Sequence, residues 1–76
     1  MKELLLYLAR SLVDEPDKVT VDEYESDGET VYELRVAPGD MGKVIGRHGK
    51  IAKEIRTLMR SVAVRQGTRV SVDIVD

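Results

Sequence analysis

The sequence predicts an α+β domain in the order helix, strand, strand, helix, helix, strand, with three helices packed on one face of a three-stranded sheet. Three observations carry this prediction. Apolar residues recur at helical spacing near the N-terminus and over residues 50–66, they alternate with polar residues over 30–37 and 70–74, and Asp27-Gly28 separates two β-rich runs. A helical period buries one stripe of a cylinder and a period of two buries one face of a sheet, so the elements must be layered on one another to hide both.

Residues Lys2 to Val13 read as the first helix, with Leu4, Leu5, Leu8, Ala9 and Leu12 on one face directed to the core. Leu6 and Val13 fall beside that stripe, as isolated surface residues or as part of a subunit contact. Asp14-Glu15-Pro16 ends the helix, because proline cannot continue it without losing a hydrogen bond. Lys18 to Glu25 and Thr30 to Ala37 are rich in Val, Thr and Tyr, and the Asp-Gly within Ser26–Glu29 predicts a tight hairpin between them. In the second strand Tyr32, Leu34 and Val36 alternate with Glu33 and Arg35, which sets one face toward helices and the other toward water. In the first strand Val19 and Val21 keep phase and Tyr24 breaks it.

Pro38-Gly39 turns the chain, and Asp40 is placed to cap a short helix that runs through Ile45 and stops at Gly46. A long helix follows from Lys50 to about Gln66. Ile51, Ile55, Leu58, Met59 and Val62 share its apolar arc, while Lys53, Arg56 and Arg60 lie opposite. Gly67 suits the end of that helix, and Val70, Val72 and Ile74 alternate with Arg69, Ser71 and Asp73 in a closing half-buried strand.

Seventy-six residues make one domain, residues 1–76, with little room for an enclosed catalytic pocket. No apolar run approaches the ~20 residues of a membrane span, and the start lacks the order of a signal peptide, so a cytoplasmic protein with no membrane contact is expected. With no cysteine and His48 as the only histidine, no metal site and no cofactor are expected. Glu54 and the Asp14, Glu15, Asp17 group bring together no nucleophile, base and orienting residue, so neither catalysis nor a small-molecule substrate is expected. The net charge of −2 hides an asymmetry. Residues 1–42 carry four Lys/Arg against eleven Asp/Glu, a balance of −7, whereas residues 43–76 carry eight against three, a balance of +5. One face suited to a polyanion is the simplest consequence.

That asymmetry focuses on Val44-Ile45-Gly46-Arg47-His48-Gly49-Lys50-Ile51, where two glycines bracket Arg47 and His48 between apolar flanks. Glycine lets a turn bring its backbone close to a ligand, and the N–H groups and positive end of the following helix favour an anion. Two glycines alone also fit a tight interhelical turn with no ligand. The octet, however, resembles the Val/Ile-Ile-Gly-x-x-Gly-x-x-Ile signature of K-homology (KH) RNA-binding domains. In length and in the run Val36-Ala37-Pro38-Gly39-Asp40-Met41-Gly42-Lys43-Val44-Ile45-Gly46, the chain is similar to the small stand-alone bacterial KH proteins of the KhpA (YlqC-like) family, over essentially all 76 residues.

The resemblance has definite implications. The element order is that of the type II, or prokaryotic, KH domain, since type I begins with a strand and ends with a helix, and type II further implies a mixed sheet. Gly46 and Gly49 carry over as the glycines of a loop that clamps the backbone of about four nucleotides of single-stranded RNA, with Arg47 and His48 at its two variable positions. Bases would lie over aliphatic side chains such as Val44, Ile45 and Ile51, and Lys43, Lys50 and Lys53 flank the loop. If Lys43, Arg47, Lys50 and Lys53 each neutralise a phosphate, log K falls with log salt at a slope of about −3. The family also implies a homodimer, or a heterodimer with a larger Jag-like KH-containing protein, and a role in post-transcriptional regulation or as an RNA chaperone, with effects on cell elongation and division.

Bland readings stand beside these. Arg56 and Arg60 suit a merely solvated face. His48 is a passive loop residue, a phosphate donor, or a group whose titration near ~6.5 makes binding pH-dependent. Tyr7, Tyr24 and Tyr32 read as core or interface residues, with Tyr24 alone a candidate for exposure. Val64 faces outward. The alternative for the whole protein is a KH-fold protein-interaction adaptor with a vestigial RNA site.

Overall fold

The computed structural model describes residues 1–75 and leaves Asp76, the end of the predicted domain, outside that range. Its elements follow the predicted order: α1 (Lys2–Leu12), β1 (Thr20–Ser26), β2 (Glu29–Arg35), α2 (Met41–Ile45), α3 (Lys50–Arg65) and β3 (Val70–Ile74). The strands lie in the order β1-β2-β3, with β1 and β2 antiparallel and β2 and β3 parallel, so the sheet is mixed.

Two boundaries move by two residues, both at proline, and the others by no more than one. Pro16 opens a short 3-10 turn over Pro16–Lys18, in which Lys18 N–H donates to Glu15 and Val19 N–H to Pro16. That turn delays β1 from Lys18 to Thr20. Pro38 holds Ala37 at φ −58°, ψ 143°, the extended conformation favoured before proline, and β2 ends at Arg35. The hairpin is as tight as its sequence suggests. Asp27 (φ 51°) and Gly28 (φ 76°) are both left-handed, the pairing that matches strand twist in a two-residue turn.

Leu5 and Ala9 of α1 meet Val19, Val21, Tyr32, Leu34, Val70 and Val72 of the sheet region, and Ile55, Met59 and Ala63 of α3 complete the core. Helix α2 packs against α3 and α1 at one end of this layer. The buried stripe of α3 is Ala52, Ile55, Met59 and Ala63. Leu58, predicted in that stripe, is 42% exposed, and Leu12 of α1 is 38% exposed. Leu6 and Val13 depart the other way and pack against the core. Tyr32 is buried, while Tyr24 and, against expectation, Tyr7 are exposed. Tyr24 pairs with Val31 in the register, which puts it on the sheet face away from the helices and accounts for its break of phase.

The ends of α3 are fixed by backbone chemistry. At its C-terminus Thr68 N–H donates to Ala63 and Gly67 N–H to Val64, with Gly67 at φ 72°, the Schellman arrangement expected of a glycine just past the helix. Arg56, predicted on the solvent arc, is half-buried, and its Nε donates to the Val72 carbonyl at 3.0 Å. Because β3 is an edge strand, this bond occupies one of its outward polar groups.

Candidate nucleic-acid interface

The 46–49 loop is a sharp reversal between α2 and α3. Gly46 adopts φ 77°, ψ 173°, a region essentially confined to glycine, and a Cβ there would lie 2.6 Å from Ile51 Cγ1. Gly49 is left-handed at φ 72°, with open space where its Cβ would stand. The two glycines therefore serve different needs: conformation and space both exclude a side chain at Gly46, whereas conformation alone disfavours one at Gly49. His48 is also left-handed, at φ 57°, ψ 25°, a conformation few non-glycine residues adopt.

Backbone bonds hold the turn. Gly46 N–H donates to Gly42, Gly49 N–H to Gly46 and Lys50 N–H to Arg47. The N–H groups of Arg47 and His48 find no acceptor among the described residues. Both residues are exposed, so the turn offers two adjacent backbone donors beside two side chains that can donate.

The cations around the loop are not equivalent. Among the described residues Arg47, Lys50 and Lys53 have no carboxylate partner, whereas Lys43 Nζ lies 3.3 Å from Asp14 and 3.6 Å from Asp40. The hydrogen bond and charge of Asp14, reinforced by Asp40, hold the Lys43 ammonium above its ordinary pKa. Asp40 does not cap α2 with its side chain as expected. Its carboxylate is buried and accepts the backbone N–H groups of Asp14 and Glu15 at 3.2 and 3.1 Å, tying the end of the α1 segment to the start of α2. Burial opposes that charge, but the two N–H bonds and Lys43 outweigh it and keep the carboxyl below its usual pKa.

The expected aliphatic floor is only partly available. Val44 is completely buried and cannot touch a base, because the turn of α2 that carries it faces α1 and α3. Ile51 is half-buried against Gly46 and the core, and Ile45 is 37% exposed. An open groove of about 650 Å³ instead starts at His48 and runs along α3, lined by Lys50, Lys53, Glu54, Thr57, Leu58 and Ser61. Thr57 and Ser61 are not singled out in the sequence, which assigns Leu58 to the core stripe. Counting Ala52 and Ala63 as core would have rotated the apolar stripe and released Leu58 to this surface. No group of acidic or histidine side chains suited to a metal occurs among the described residues, and no described helix is long and apolar enough to cross a membrane.

Residues 2–74 match the family model described as KhpA/KhpB, KH domain. The chain is 52% identical to the RNA-binding protein KhpA of Clostridium acetobutylicum, over 99% of this chain and 100% of the relative. It is 46% identical to that of Chlamydia trachomatis, covering 100% and 97%, and 47% identical to that of Treponema pallidum, covering 99% and 94%. Two solved structures share the fold at 24% identity over 95% of this chain and 28% of theirs. They are Aquifex aeolicus Era bound to GDP and aluminium fluoride, with a TM-score of 0.65, and Era in complex with MgGDPNP and part of 16S ribosomal RNA, with a TM-score of 0.64.

Proposed function

The chain belongs to the KhpA/KhpB KH-domain family, and from this premise we propose that it is a non-catalytic protein that binds single-stranded RNA on its 46–49 loop. The observation that carries the proposal is the loop itself: two unengaged backbone N–H groups and the unpaired Arg47, Lys50 and Lys53 converge where a side chain on Gly46 would not fit. Gly46 and Gly49 admit the phosphate backbone. Arg47 forks to phosphate oxygens, His48 donates beside it, and Lys50 and Lys53 extend the cationic track. Ile45 and Ile51 offer limited apolar contact to bases, and Leu58 adds to it along the groove. Three cations on a single strand correspond to a salt slope of about −2.

Post-transcriptional regulation in the cytoplasm, or RNA chaperoning with consequences for cell elongation and division, is the role the family resemblance implies. Self-association, or pairing with a larger Jag-like KH protein, would place a second RNA site on the same strand and raise avidity. In support, Leu8, Leu12, Ile51, Ile55 and Leu58 line a second groove between α1 and α3, and two of those leucines are exposed. The same groove is the one observation favouring a protein-contact role without RNA.

The test is fluorescence anisotropy of a labelled single-stranded RNA with the wild type and with Arg47→Asp/His48→Asp. Asp tolerates the left-handed conformation at position 48, so the double variant should fold, which circular dichroism checks. Binding by the wild type and none by the folded variant supports the loop. Equal binding by both, or by neither, rejects it and favours the protein-contact role.

A further inference from the structure

We propose that Asp14 and Asp40 withhold Lys43 from RNA and so mark the end of the phosphate path on the α2 side of the loop. The inference rests on the loop reading above and adds a direction to it: the strand leaves Arg47 over Lys50 and Lys53, not over Lys43.

Lys43 sits three residues before Gly46, and by sequence it is as well placed for phosphate as Lys50. Its surroundings differ. Two carboxylates share its one ammonium, at 3.3 and 3.6 Å, leaving a local balance of one negative charge. The arrangement is built from the inside. The Asp40 side chain is 4% exposed, and its two oxygens hold the Asp14 and Glu15 N–H groups, so the backbone that presents the Asp14 carboxylate is fixed in place. A phosphate approaching Lys43 must displace Asp14 and still meet the second, buried carboxylate. Beyond it the chain continues through Glu15 and Asp17, with Lys18 alone paired to Glu15. Among the described residues no carboxylate forms such a pair with Arg47, Lys50 or Lys53, although Glu54 lines the groove with the two lysines.

Asp14 is the accessible part of this device. Its side chain is 78% exposed, and its backbone N–H, which Asp40 uses, survives substitution. Exposed ion pairs contribute little to stability, so Asp14→Asn should remain folded. Salt-titrated anisotropy on single-stranded RNA with wild type, Asp14→Asn, Lys43→Gln and Lys53→Gln provides the test, with folding checked by thermal melts. Lys53→Gln should reduce the salt slope by about 0.7, one phosphate's share on a single strand. Lys43→Gln should keep the wild-type slope. Asp14→Asn should bind about two- to fivefold tighter at low salt, the scale of one unit charge a few ångströms away in high dielectric. Its slope should steepen by as much as about 0.7 as Lys43 is released.

A loss of about 0.7 in Lys43→Gln would put Lys43 on a phosphate and overturn the inference. So would an Asp14→Asn variant with wild-type affinity and slope. A wild-type slope near zero, or Lys53→Gln indistinguishable from wild type, overturns the loop reading and this inference with it, a pattern separate from either result above.

Discussion

Replacing Gly46 by alanine should destabilise the domain far more than the same change at Gly49. At Gly46 two costs add. The φ 77°, ψ 173° conformation costs a residue with a Cβ about 1–3 kcal/mol. The new methyl would stand 2.6, 2.9 and 3.0 Å from Ile51 Cγ1, Cβ and Cδ1, and forcing those atoms apart costs about another 1–3 kcal/mol because Ile51 is itself packed against the core. At Gly49 only the left-handed backbone term applies, about 1–2 kcal/mol, since nothing lies within 4 Å of the added Cβ. A chain of this length is stable by roughly 4–11 kcal/mol, so Gly46→Ala removes a large share of that total. Urea denaturation followed by far-UV circular dichroism measures both. The Gly46→Ala midpoint should fall well below that of Gly49→Ala with comparable m-values. Equal losses, or a larger loss at Gly49, would refute the contact with Ile51 as the reason for the first glycine.

Position 48 should discriminate by backbone preference: His48→Asn should stay within about 0.5 kcal/mol of wild type, while His48→Val should lose about 1–2 kcal/mol, because a β-branched residue resists φ 57°. At ~4–8 °C per kcal/mol for a domain this small, thermal melts resolve the difference. Arg56→Met keeps the aliphatic stem but removes the bond to the Val72 carbonyl, and should lower stability by about 1 kcal/mol without changing the m-value in urea. Asp40 adds a pH signature. Its folded pKa is depressed, so the stability it contributes is present above the ordinary carboxylate value near ~3.9 and is lost as pH falls through the folded value. Acid titration of Asp40→Asn should therefore show a shallower loss of stability below about pH 4 than wild type, and parallel curves would dissociate Asp40 from acid unfolding.

Element order was legible because each element carries its own period, and a period survives whatever the element packs against. Boundaries were legible except where proline imposed a turn beside a strand, at Pro16 and Pro38. The orientation of α3 was misread for a simpler reason. Large side chains set the predicted stripe, yet the buried face of α3 is Ala52, Ile55, Met59 and Ala63, and the two alanines rotate it away from Leu58. Tyr7 followed the same logic, since a tyrosine on a leucine-rich helix carries no sign of which side of the stripe it occupies. The two loop glycines were legible as glycines, but their separate reasons were not, because the clash at Gly46 depends on where Ile51 lies after folding.

Charge was legible in sign and not in assignment. The +5 half includes Lys43 and Arg56, but Lys43 is engaged by Asp14, distant in sequence, as well as by Asp40 one helical turn before it, and Arg56 is spent on the β3 edge. Partners as remote as Asp14 and Val72 leave no local pattern. What remains beside the loop is Arg47, Lys50 and Lys53, and that number has a consequence for affinity. A slope of about −2 means a fourfold rise in salt, from 50 to 200 mM, weakens binding by about 20-fold. One such site would hold RNA poorly at physiological ionic strength. Doubling the site on one assembly makes the second contact intramolecular and recovers the loss without any new cation. For the proposed assembly, the exposed Leu12 and its neighbour Leu58, which the domain's own core leaves uncovered, are the apolar surface available.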